Sequence, residues 1–408
     1  LRHHAKKQEE TMADQFNYDS LFSANSIEAP PGNVRHSKND FAVAYPDPEN
    51  LPLDELIDAL KTGFANQGRD IAYYSDASGY KELRELVAEK LARERNMTVD
   101  AEDMVLTSGS GEAIGMLIQA LTDPGDVVLV EEFVYLGTLN QLKRYGADVV
   151  GVKCDDYGLI PEDLDKVITE QVAKGKKVKY LYTIPAFQNP MGWTMSLERR
   201  KQVLEVTGKH GIPIFEDDCY ADLRFEGEDV TSFHSLDDTG RVIYAGSFSK
   251  IIAPGMRMGY LVAPKSVISR AWSFKSGGAV SHFTALTIAE LMKSGLGNHI
   301  EVQNRALAAK RDAMVAALGE NFGSSVTWSV PEGGLYCWIK FPEGTDLAAV
   351  QEEVFHEGVS YYNGSQFSPT GEGSNYVRLC FGHPDVQTIH DGVAEFARIL
   401  DQKKVFPG

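Results

Sequence analysis

The chain has 408 residues, 43% of them hydrophobic and 24% charged, which is a globular composition with length for two or three domains. Lys and Arg number 40 against 58 Asp and Glu, so the formal net charge of −18 repels a nucleic-acid backbone. No apolar run is long enough to cross a bilayer, so a membrane partner is not expected either.

The first sixteen residues, "LRHHAKKQEETMADQF", lack the apolar core of a secretory signal, and Met12 reads as a native start. Residues 1–45 are rich in Pro, Asn and Ser and predict an irregular arm, with a rigid bend at Pro30-Pro31-Gly32. Next, "SGYKELRELVAEKLARER" places Leu83, Leu86, Val87 and Leu91 on one helical face, with Ser78 as its cap. A more buried helix follows in "GEAIGMLIQAL" (111–121). Short apolar runs at 126–132, 177–185, 212–218 and 241–247 read as strands, and "SLERRKQVLEVTGKH" (196–210) as a helix between two of them. This alternation predicts an α/β domain over 46–295, with a mainly parallel, doubly wound sheet. Beyond about residue 296 a long helical stretch, three strand-like runs and a closing helix predict a smaller α+β domain over 296–408. The four cysteines (Cys154, Cys219, Cys337, Cys380) are scattered without C-x-x-C spacing, which predicts reduced thiols in a cytoplasmic protein and no structural zinc or other metal.

The chemistry-bearing residues fall just after the strand-like runs, where open α/β sheets hold ligands. In "LTSGSGEAIGM", small residues at 108–111 open a helix whose first N–H groups suit a phosphate, although such residues also serve simply as caps. Arg257 adds a guanidinium matched to that phosphate. "IFEDDCY" ends a strand in three acids, and Asp217 suits an anion that keeps a proton on a heterocyclic nitrogen, or a solvated turn. Tyr220 can donate to a phenolate oxygen, and Asn189 sits in a turn-forming "QNPMG". Lys250, in "YAGSFSKIIAPGMRMGY", stands where a strand ends among small hydroxyl residues. Together these describe a pyridoxal phosphate site: a lysine to join the aldehyde, an acid for the ring nitrogen, donors for the ring oxygen and a phosphate cup. Neighbouring positive charge favours the neutral, nucleophilic form of Lys250.

On "SFSKIIAPGMRMGY" and "FQNPMG" the chain resembles the fold-type-I, class I/II aminotransferases, closest to the kynurenine/2-aminoadipate branch, from about Ala42 to the C-terminal helix. That resemblance implies an enzyme moving an amino group between an α-amino acid and a 2-oxo acid by a ping-pong mechanism. It implies that Lys250 carries the cofactor, that Ser247, Ser249 and Arg257 bind its phosphate, and that Gly109, Ser110 and Gly111 complete the cup. It also implies that Asp217 holds the ring nitrogen's proton, that Asn189 and Tyr220 bind the ring oxygen, and that Tyr135 stacks on the ring. Arg378 would pair with the substrate carboxylate, with Asn189 beside it, and Tyr74 would reach the phosphate of a second subunit in a homodimer with shared sites.

Three departures stand out. Val43 and Ala44 occupy positions where the family often has glycines beside the substrate carboxylate, so crowding or altered N–H access is expected there. Gly111 stands in the phosphate loop where glutamine is frequent, and Phe133 replaces a common proline before Tyr135. Lyases and synthases share the same lysine, acid and cup, so motifs separate them poorly from transaminases. A sensor domain of a transcription regulator is a more distant alternative, since residues 1–45 show no helix-turn-helix pattern.

Overall fold

The computed structural model describes residues 18–23, 35–275 and 277–406. Met12 and the Pro30-Pro31-Gly32 bend lie outside them. The chain forms two compact units, residues 1–35 and 36–408. In the first, Asp19–Leu21 makes a single 3₁₀ turn.

The second unit is built on a seven-stranded sheet. A short strand, β1 (Asn39–Asp40), comes first. The sheet itself comprises β2 (Met104–Thr107), β3 (Val127–Glu131), β4 (Asp148–Val152), β5 (Val178–Thr183), β6 (Ile214–Asp217), β7 (Val242–Ser247) and β8 (Gly259–Val262). Their order is β2-β8-β7-β6-β5-β3-β4; every pair is parallel except those made by β8, which runs antiparallel to both neighbours. Strands β2, β3, β6, β7 and β8 are buried along their whole length. That explains why they read as continuous apolar runs and not as alternating ones.

The connecting helices are α1 (Leu53–Gln67), α2 (Lys81–Arg95), α3 (Ser110–Leu121), α4 (Leu136–Arg144), α5 (Pro161–Ala173), α6 (Leu197–Lys209), α7 (Phe233–Leu236), α8 (Lys265–Trp272) and α9 (His282–Ser294). Their ends follow local chemistry. Pro161 opens α5, the Ser196 hydroxyl accepts from Arg199 N at the start of α6, and Asn96 closes α2 in the left-handed region. Ser78 is not the cap of α2. The helix starts at Lys81 after Tyr80, which makes no side-chain cap bond. Gly79 turns the chain at φ +92°, and the Ser78 carbonyl is spent on Leu106 N of β2.

The long helix α10 (Leu296–Asn321) leads to a second sheet of β9 (Thr327–Trp328), β10 (Tyr336–Lys340), β12 (Tyr362–Asn363) and β13 (Tyr376–Cys380), in the antiparallel order β9-β10-β13-β12. Between them lie α11 (Gln351–His356) and β11 (Val359–Ser360), and α12 (Val386–Gln402) ends the fold. Strand β1 pairs in parallel with β11, so the segment just before residue 45 is stitched to the C-terminal part of the chain. Buried side chains from α2, α3 and β8 share one apolar cluster with those of α10, β10, β13 and α12. Among the described residues, no helix is long and apolar enough to cross a membrane.

Candidate active site

A cavity of about 470 Å³ opens at the ends of β2, β5, β6 and β7, against β10 and β13 of the second sheet. Lys250, Asp217, Tyr220, Asn189, Arg257, Arg378 and Tyr135 all line it, as do Ser110, Gly111, Ser247, Ser249 and Ala44. Residues more than 260 positions apart in the chain are thus brought to one space. A larger cavity, about 830 Å³, lies between Cys154–Tyr157 and Thr327–Glu332, and none of the residues expected to hold cofactor or substrate lines it. The chemistry therefore belongs to the smaller space.

The acids at 216–218 show how strand geometry selects one of three. Alternate residues face opposite sides of a strand. Glu216 accepts from the first N–H groups of α7, Phe233 and His234, at 2.9 Å each. Asp218 accepts from the Tyr244 hydroxyl at 2.7 Å and faces Arg95. Asp217 alone turns into the cavity, where burial pushes its carboxyl above the usual range. Its Oδ2 accepts from Tyr182 OH at 2.6 Å, and its Oδ1 from the Cys219 thiol at 2.7 Å.

Lys250 follows the end of β7, its backbone tied by Gln303, whose Nε2 donates to Lys250 O at 2.7 Å. The amine donates to Ala44 O at 2.7 Å. Desolvation lowers its affinity for a proton, and the positive charges of Arg378 and Arg257 act in the same direction. A neutral amine is the form that attacks a carbonyl.

Two walls hold anion-binding groups. On one, Ser247 and Ser249 are buried at the end of β7, beside the N-terminus of α3. Arg257 is held at φ 48°, and its Nη2 donates to Ser108 O at 2.6 Å. Gly109, at φ +79°, lies under this guanidinium: a Cβ there would stand 3.0 Å from Nη2. Gly109 itself does not line the cavity. On the other wall, Arg378 is 4% exposed. Its Nη1 donates to Asn189 Oδ1 at 2.9 Å and its Nη2 to Ala42 O at 2.5 Å. The guanidinium lies over the rings of Tyr336, Tyr362 and Phe367 at 4.5, 4.8 and 5.2 Å. Its Nε is buried without a partner among the described residues.

Asn189 Nδ2 donates to Tyr220 OH at 3.1 Å, and Tyr220 and Tyr336 hydroxyls meet at 2.9 Å. Tyr336, Tyr362 and Phe367 escaped the sequence reading because aromatics in apolar runs are mostly core, and only tertiary contact with Arg378 marks them. Tyr74 is not brought to this cavity at all; it is fully exposed after α1. Ala44 and Ala42 present carbonyls to the two cations, so this segment serves them as an acceptor rather than as a glycine-like source of N–H groups.

A family model described as aminotransferase class I and II matches residues 42–393. The chain belongs to this family. It is 31% identical to aromatic-amino-acid aminotransferase 1 of Thermococcus litoralis over 97% of each chain. It is 30% identical to 2-aminoadipate transaminase of Thermus thermophilus over 88% of this chain and 89% of the relative. Among solved structures, Pyrococcus horikoshii kynurenine aminotransferase, in complex with PMP, KYN as substrates and KYA as products, superposes with a TM-score of 0.88. That match has 30% identity and covers 95% of this chain and 98% of the other. The chain is thus a fold-type-I aminotransferase of the kynurenine/2-aminoadipate branch, and its reaction is transamination between an α-amino acid and a 2-oxo acid.

Proposed function

We propose that this aminotransferase works with pyridoxal phosphate held in the 470 Å³ cavity and prefers amino acids with apolar or aromatic side chains. The observation that carries the reading is the convergence there of Lys250, Asp217 and Arg378. The residues fit the cofactor by their donor set. An amine whose proton affinity burial lowers, an anion-seeking wall of Arg257, Ser247, Ser249 and the first turn of α3, and a buried carboxyl match its aldehyde, phosphate and ring nitrogen. When bound, pyridoxal phosphate supplies an aldehyde that joins the substrate amine and a ring that takes up the electron pair left by Cα–H cleavage.

Asp217 would hold a proton on the ring nitrogen and so sustain that electron demand. Asn189 and Tyr220 would hold the ring oxygen, and Tyr135, which lines the same cavity, would pack against the ring. Arg378 grips the substrate carboxylate and thereby sets the direction of the Cα–H bond. Lys250, beside it, would take the Cα proton as a base and hold it for return as an acid.

The apolar part of the cavity supports the choice of substrate. Its lining includes Val43, Tyr45, Leu136, Ile184, Tyr362 and Phe367. Among the described lining residues, the cations are Lys250, Arg257 and Arg378, each already assigned, which leaves none for a distal carboxylate. The purified protein should show a visible band that converts to the amine form with phenylalanine, tyrosine or leucine and returns with a 2-oxo acid. Conversion by glutamate or 2-aminoadipate alone would refute the substrate assignment, and a protein that stays colourless with added pyridoxal phosphate would refute the cofactor.

We also read the enzyme as a cytoplasmic homodimer, with residues 46–295 as cofactor domain and 296–408 as the smaller domain. Four free cysteines fit a reducing compartment. Leu53 and Ile57 of α1, Phe283 of α9, and Tyr73 and Tyr74 are each more than half exposed, apolar surface suited to a second copy. Tyr74 would donate across it to the partner's phosphate. Tyr74→Phe should weaken cofactor retention about tenfold, as for one hydrogen bond to a charged group. Hybrid dimers of Tyr74→Phe with Lys250→Ala should regain one intact site. No gain over the Tyr74→Phe homodimer, with subunit exchange verified, would count against sharing.

A further inference from the structure

We infer that Tyr182, a residue that does not line the cavity, is a positioning residue that acts on the reaction through Asp217; this rests on the role proposed for Asp217 above. Tyr182 belongs to β5, the parallel neighbour of β6, and its partner in register is Phe215, two residues before Asp217. It is 1% exposed, and its ring meets the Phe215 ring edge-on at 5.4 Å, which fixes where its hydroxyl points. That hydroxyl donates to Asp217 Oδ2 at 2.6 Å. With the Cys219 thiol on Oδ1, both oxygens of the carboxylate receive a protein donor, one from each side.

The arrangement matters because the carboxyl is buried, and burial favours its neutral form. A neutral acid would carry its own proton and could not keep one on the ring nitrogen. A hydroxyl donor stabilises the charged form and not the neutral one, so Tyr182 keeps Asp217 ionised inside an otherwise unfavourable site. It also holds the carboxylate against rotation. The direction of donation is set by chemistry. Burial keeps the phenol protonated, so its O–H donates and the carboxylate accepts.

The test is Tyr182→Phe, which retains the ring against Phe215 and deletes only the hydroxyl, measured beside Asp217→Asn and the unaltered enzyme. With the loaded enzyme, kcat should fall about tenfold to a hundredfold while KM for the amino acid changes less than about threefold, as for loss of one hydrogen bond to a charged group. With the cofactor stripped, pyridoxal phosphate should rebind about tenfold more weakly by fluorescence titration, and the melting temperature should stay within a few degrees. If Asp217→Asn is crippling and Tyr182→Phe matches the unaltered enzyme in kcat and in cofactor affinity, the inference is wrong while the reading of Asp217 stands. If Asp217→Asn also leaves both unchanged, the role of Asp217 itself is wrong. An equal fall in kcat and a large rise in KM would assign Tyr182 a merely structural role and overturn it as well.

Discussion

Replacing Lys250 with alanine is expected to lower kcat by about four orders of magnitude, the upper range for a positioned acid–base group, while leaving the protein folded and able to bind pyridoxal phosphate. The expectation follows from where the amine sits. Lys250 Nζ is held by the Ala44 carbonyl in a desolvated cavity with two arginines, conditions that favour the neutral amine. The backbone is anchored separately by Gln303, so truncating the side chain leaves the end of β7 in place. The anion wall of Arg257, Ser247 and Ser249 is untouched as well, which is why cofactor affinity survives. Single-turnover kinetics with an amino acid should show the lesion in proton transfer, and a small primary amine added to the buffer should restore part of the rate. Turnover within tenfold of the unaltered enzyme would remove Lys250 from the mechanism.

The sequence made β3, β6 and β7 visible because they are buried on both faces and so appear as unbroken apolar runs. It made the anion-binding wall, Lys250 and Asp217 visible because each stands at the end of such a run, where open α/β sheets hold ligands. Arg378, Tyr135 and Tyr74 were legible only through family resemblance, since an arginine in a strand and aromatics near strand ends have ordinary structural explanations. Tyr336, Tyr362 and Phe367 were not legible. Their part in the site depends on β10, β12 and the turn after it meeting Arg378 of β13, and no local spacing encodes that contact. Nor was Tyr182, because a tyrosine within "KYLYTIP" is indistinguishable from core until β5 and β6 pair and aim its hydroxyl at Asp217. The Ser78 cap failed for a similar reason. A tertiary bond to Leu106 and a glycine turn outweighed the local preference of serine for helix starts.

Arg378→Leu is the second change expected to be severe, lowering kcat/KM for amino acids by about 10²- to 10³-fold through loss of a buried charged partner for the carboxylate. The guanidinium is boxed by three aromatic rings and fixed by Asn189 and the Ala42 carbonyl, so its geometry is set before any substrate arrives. Its Nε is buried without a partner among the described residues. Lysine should not substitute, because a point charge cannot present the planar fork; Arg378→Lys is expected to recover less than about a tenth of the lost activity. The deletion also strips a donor from Asn189, so a general disturbance of the site must be separated from loss of carboxylate binding. A simple alkylamine separates them, since it has an amine to react and no carboxylate to be gripped. If Arg378 acts on the carboxylate, the variant and the unaltered enzyme should convert the visible band with that amine at rates within about threefold, and only amino acids should discriminate between them. Equal losses for the amine and for amino acids would mean that Arg378 serves the cavity's architecture, and the substrate's carboxylate would then have to be bound elsewhere.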